Sequence, residues 1–195
     1  MVWIDCEMTG LDVENDALIE VAVLVTDAEL NVLGDGVDIV IATGQDKLDA
    51  MGDFVRQMHT KSGLADEAKA STVTMAQAEA QAMEYITAYV HEAGKAPLAG
   101  NTIGTDRAFL ARDMPTLEGY MHYRNVDVST IKELARRWYP RVFHSAPEKA
   151  SHHRALADIK ESIKELRYYR TALFVPQPGP TSAEARALAA GLAED

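Results

Sequence analysis

Two carboxylates interrupt the first apolar run of the chain, and that interruption constrains the fold more than any other feature. Residues 2–7 (Val-Trp-Ile-Asp-Cys-Glu) read as a short buried strand. Asp5 and Glu7 are two apart, so on a strand both side chains leave the same face. Two charges on one face of a buried strand are costly unless something neutralises them. A bound divalent cation such as Mg²⁺ or Mn²⁺ would do so. A pair spaced Asp-x-Glu is common by itself, and the same residues could open a loop with Glu7 solvated.

The rest of the chain supplies a sheet around that strand. Residues 17–26 are rich in Val, Leu and Ile, and residues 31–42 form a third strand kinked or bulged at Gly34-Asp35-Gly36. Short connections make these three an antiparallel meander. Residues 43–70 read as loop and short helix. Thr74 with Gln77 is a capping box opening a helix to about Glu92, closed by Gly94. A short strand at 97–100, a helix at 105–113 and a strand at 125–128 follow. Ser129 is expected to cap a helix ending near Trp138, stopped by Pro140. Residues 141–152 read as a polar loop. Leu156, Ile159, Ile163 and Leu166 recur at helical spacing within 155–173. Pro176-Gln177-Pro178-Gly179-Pro180 then breaks the pattern, and the Ala-rich end reads as a weak helix or a disordered tail. The expected organisation is one α/β domain over 1–175, a mixed five-stranded sheet flanked by helices, with a tail at 176–195.

Composition narrows the function. The 195 residues are 47% hydrophobic and 25% charged, which suits one globular domain. No run approaches the roughly 20 apolar residues of a membrane span, and no secretory signal is read at the N-terminus. The net charge of −11 argues against gripping a long nucleic acid on a basic face, but not against a short one held at a few points. The single cysteine, Cys6, fits a reducing, cytoplasmic setting. Its acidic neighbours make it a buried filler rather than a nucleophile.

Further acids and a histidine recur along the chain. Asp106 follows a Gly-containing turn, and Asp158 is near the start of the last long helix; each alone could simply favour a helix dipole. His153 is five residues before Asp158, about 140° away on a continuous helix. The two converge only if His153 belongs to the loop before that helix. His144 and His152 read as structural or solvated.

In that order, Asp-x-Glu, a mid-chain Asp and His-x4-Asp resemble the DEDDh exonucleases. The run Trp-Ile-Asp-Cys-Glu-Met-Thr-Gly-Leu-Asp at 3–12 is similar to the signature of the oligoribonuclease family. Met58 to Leu64, Gly100 to Leu110, His122-Tyr123-Arg124, Asp127 to Trp138, and Asp158 to Ser162 leading to Arg170 extend the likeness over about residues 2–174. The resemblance implies a ribonuclease H-like exonuclease fold and a homodimer. It implies 3′→5′ hydrolysis of short single-stranded RNA, di- to pentanucleotides, to 5′-mononucleotides with two divalent ions, Mg²⁺ or Mn²⁺. Carried over by position, Asp5, Glu7, Asp106 and Asp158 are the metal-binding acids and His153 the general base. Leu11 matches a residue that wedges between bases. Phe54 stands where Trp is usual and keeps a π-face for stacking. His59, Thr102 and Ser129 match positions near the substrate's 5′ end, and Tyr123 and Arg124 match residues reaching in from a second subunit. The loop 141–151 and the Pro-rich tail depart from the family pattern.

Overall fold

The computed structural model describes residues 1–148 and 154–192. Strands β1 (Val2–Met8), β2 (Leu18–Thr26) and β3 (Val32–Val40) form the antiparallel meander. β4 (Pro97–Gly100) lies parallel to β1, and β5 (His122–Asp127) parallel to β4. The sheet order is therefore β3-β2-β1-β4-β5, mixed and five-stranded.

Alternation along β1 decides which side of the sheet becomes the site. Val2, Ile4, Cys6 and Met8 enter a core with Ala78, Ala82 and Ile86 of α4 (Met75–Tyr89) and Phe109 and Leu110 of α5 (Ile103–Asp113). Trp3 points the other way and packs with Ile159, Ile163 and Leu166 of α9 (Ala155–Leu173). Asp5 and Glu7 share Trp3's parity, so they face the α9 side. Every residue of β2 is buried, because helices cover both faces of the central sheet. Full burial of a side chain such as Ile86 or Phe109 stabilises by about 2 kcal/mol.

Local signals account for most element ends. Thr74 accepts from Gln77 N at 3.3 Å while Gln77 Oε1 accepts from Thr74 N at 2.9 Å, which is the expected capping box. The kink expected at Gly34–Gly36 is present. Gly36 has φ 83°, and a Cβ there would lie 2.9 Å from the Val23 carbonyl oxygen.

Four readings change. Residues 43–70 are mostly helical: α1 (Gln45–Asp49), α2 (Asp53–Ser62) and α3 (Leu64–Ala70), separated by turns at Gly52 and Gly63. α6 (Pro115–Tyr120) was not anticipated. The cap of α7 (Val128–Trp138) is Asp127, whose carboxylate accepts from Ser129 N at 2.9 Å; Ser129 is inside the helix. Pro140 ends α7 but begins α8 (Pro140–His144), so the 141–152 segment opens with helix. The tail carries α10 (Ser182–Gly191), opened by a Thr181–Glu184 capping box and burying none of its residues. No helix among the described residues is long and apolar enough to cross a membrane.

Candidate active site

Three carboxylates meet on the α9 side of the sheet. Oxygen atoms of Asp5, Glu7 and Asp158 all lie within 4.8 Å of one another. β1 delivers the first two by strand alternation. α9 delivers the third from its first turn, where Asp158 N donates to the Arg154 carbonyl at 3.0 Å.

Asp106 joins them from α5. It is buried, and its Oδ1 accepts from Cys6 N at 2.9 Å, a bond that spans 100 residues of sequence. Asp5, Glu7, Asp106 and Asp158 line one cleft of about 350 Å³, together with Leu11, Asn101, Thr102 and Ser162.

The electrostatics of this cleft are unfavourable without a cation. Burial first, then the charges of Asp106, Glu7, Asp158 and Glu20, push the Asp5 carboxyl well above the usual carboxylate range. Burial, then Glu20, Asp158 and Asp106, push Glu7 up to about 8. Burial pushes Asp106 up to about 6, opposed by the Cys6 N–H. Such shifts mark acids gathered in a desolvated cleft where each carboxylate disfavours the charge of the next. Hard oxygen donors in a half-open cleft fit Mg²⁺ or Mn²⁺, which take carboxylates together with substrate phosphate oxygens.

Around the acids, the loop bearing Leu11 is tightly tied. Asp16 accepts from Thr9 Oγ1 at 3.0 Å and from Asp12 N at 2.8 Å, and Arg112 donates to the Asp16 carbonyl at 2.8 Å. Leu11 is left 75% exposed at the cleft mouth, where apolar area has no fold-stabilising use. Thr102 has left-handed backbone (φ 54°, ψ 32°), strained for a β-branched residue. Its N–H donates to Asp127 Oδ1 at 3.0 Å and to Ser129 Oγ at 3.3 Å, so two of the expected 5′-end residues are adjacent.

His59 is fully buried. Its Nε2 is 2.9 Å from the Met8 carbonyl and 4.0 Å from Glu7 Oε2, which places it beneath the acids. Phe54, Tyr123 and Arg124 are exposed and do not line the cleft. Arg124 rests on the Tyr123 ring at 5.2 Å, and His122 stacks on the same ring at 4.4 Å. His153 lies outside the described residues.

Three neighbours were missed at the level of sequence. Glu20 is fully buried and is the cross-strand partner of Glu7. A single acid in the apolar run 18–25 was the available signal. Arg154 donates to it at 2.9 Å. Asn101 donates to Ser162 Oγ at 2.7 Å across the cleft floor, and nothing in its neighbours' spacing announced that.

Residues 2–166 match the RNase_T family, described as an exonuclease. A protein named oligoribonuclease from Streptomyces coelicolor is 66% identical over 190 residues, 97% of this chain and 94% of that protein. An oligoribonuclease from Mycobacterium tuberculosis is 60% identical over 194 residues, 100% of this chain and 90% of that protein. Among solved structures, E. coli exonuclease I in complex with a dT13 oligonucleotide superposes with a TM-score of 0.68 at 18% identity, over 87% of this chain. This chain spans 40% of that longer protein, and the likeness is one of fold. Exonuclease I from Methylocaldum szegediense gives a TM-score of 0.64 at 20% identity, over 91% of this chain and 41% of that one.

Proposed function

The chain belongs to the oligoribonuclease family of exonucleases, and from that premise we propose how its own residues remove nucleotides from the 3′ end of very short RNA. The observation that carries the reading is the cleft in which Asp5, Glu7 and Asp158 converge beside Asp106, with exposed Leu11 at its mouth. In this reading Asp5, Glu7, Asp106 and Asp158 would together hold two divalent ions, Mg²⁺ or Mn²⁺. When bound, the ions supply a lowered water pKa and charge stabilisation at the scissile phosphate.

The protein's own groups do the rest. Leu11 wedges between the last two bases, and Phe54 offers a stacking face, each interaction being sequence-tolerant. Thr102 and Ser129 close around the 5′ end, and the fully buried His59 supports the acids from beneath. Tyr123 and Arg124 act on the partner protomer's substrate in a homodimer; their exposure and mutual stacking support this, since they present a cation–aromatic pair at the surface. His153 takes the proton of the attacking water, a task for which a histidine is suited near neutral pH. The exonuclease unit is residues 1–175, and 176–195 is an appendage. The single cysteine is in keeping with a reducing, cytoplasmic setting.

Closure at the 5′ end favours di- to pentanucleotides, because a longer strand must leave past Leu11 and Ser129. Mass analysis of products from labelled RNA, with and without Mg²⁺, tests this over a length series. Mononucleotides and fastest turnover on dinucleotides are expected. Equal rates on dinucleotides and on strands of roughly 20 nucleotides would refute the closed end.

A further inference from the structure

α9 carries Asp158, yet it begins without a side-chain cap of its own. Its N-cap residue is Arg154, and a guanidinium there opposes the helix dipole. The cap comes from across the molecule. Glu20 Oε2 accepts from Ala155 N at 3.1 Å, and Glu20 Oε1 accepts from Arg154 Nε at 2.9 Å. Arg154 in turn donates from both terminal nitrogens to the two oxygens of Glu67 in α3, each at 2.9 Å. The Arg154 carbonyl receives the N–H of Asp158 at 3.0 Å.

Glu20 occupies the register position opposite Glu7. One carboxylate on β2 therefore grips the first amide of α9 at the level of the strand pair that holds Glu7. A fully buried glutamate is expensive, and this one is compensated by groups that all belong to the start of α9. We propose that Glu20 and Arg154 are positioning residues that set the placement of Asp158 against Asp5 and Glu7, and through it the affinity for divalent metal and the rate of hydrolysis. The inference rests on the reading of Asp158 as a metal ligand. An error of about 1 Å in placing such a group is enough to lose most of its contribution.

The charge of the pair and its geometry make opposite forecasts, which decides the test. If only charge mattered, Glu20→Gln and Glu20→Ala would weaken metal binding alike, and Arg154→Met would strengthen it. Positioning requires something else. Glu20→Gln keeps an oxygen for Ala155 N but turns its NH₂ onto the Arg154 Nε–H, so it weakens binding about threefold, as Arg154→Met does, while Glu20→Ala weakens it about tenfold. Mn²⁺ binding to the full chain is measured by electron paramagnetic resonance without nucleic acid, alongside kcat and KM on a dinucleotide. The expected result is that order of Mn²⁺ affinities, with kcat lowered in parallel and KM nearly unchanged. Glutamine behaving as alanine, or Arg154→Met binding Mn²⁺ as well as or better than wild type, would overturn the proposal. If Glu20→Ala does not fold, the partly exposed Arg154 carries the test. Wild type that binds Mn²⁺ without cleaving dinucleotides would refute the proposed function and leave this comparison intact.

Discussion

Metal-free protein should lose stability as the pH rises from about 5 to about 8, against the usual behaviour of paired carboxylates. Burial, then neighbouring acids, pushes Glu7 up to about 8, and burial pushes Glu20 up to about 7 and Asp106 up to about 6. In the unfolded chain these groups titrate near pH ~4. Between those limits the folded chain retains protons that the unfolded chain has released. A raised acid therefore contributes stability that is fully present below the unfolded pKa and is lost as pH rises through the folded one. One such group is worth about 1.4 kcal/mol per pH unit. Glu7, whose side chain is 12% exposed, would alone give about 3 kcal/mol over two units, and solvent in the open cleft reduces this to about 1–2 kcal/mol. For a chain of this size that is a fall of roughly 2–8 °C in Tm. Saturating Mg²⁺ selects the ionised carboxylates, so it should raise Tm more at pH ~8 than at pH ~5. Calorimetric melts in chelator and in Mg²⁺ across that range measure both. A metal-free Tm that is level or climbs with pH would refute the raised acids of the cluster.

Two substitutions separate chemistry from substrate fit. His153→Ala should lower kcat by about 10²–10⁴-fold while the thermal midpoint stays near wild type; turnover equal to wild type would end its assignment as general base. Leu11→Ala should leave Tm unchanged, since the side chain is 75% exposed, and raise KM for dinucleotides by about tenfold; an unchanged KM would remove the wedge.

The site was legible where periodicity and spacing carry information. Asp5 and Glu7 share a face because a strand alternates, but their grouping with Asp106 and Asp158 rests on the family resemblance, since either aspartate alone equally suits a helix dipole. The five-stranded sheet followed from the order of apolar runs. Short helices were harder: α1, α2 and α3 are each 10 residues or fewer, and the glycines that cap them also suggest loop. Pro140 reads as a stop in sequence, although proline also suits the first turn of a new helix. Ser129 and Asp127 are both good cap residues, and only the backbone path decides that the aspartate accepts. The Thr181–Glu184 box was present in the sequence but masked by the alanines after it. Glu20 shows the deeper limit. Its partners are 134 and 135 residues away, so no local pattern could announce that it caps α9.

The acids of the cleft come from β1, α5 and the first turn of α9, that is, from the beginning, middle and late part of the chain. Any polypeptide released before residue 158 lacks one of the three converging carboxylates, and one released before residue 106 lacks two of the four. If these acids hold the metal as proposed, a ribosome making this protein carries an inactive chain until residue 158 has emerged, whatever RNA is nearby. On the proposed reading, copies that end before residue 158 lack a complete metal site.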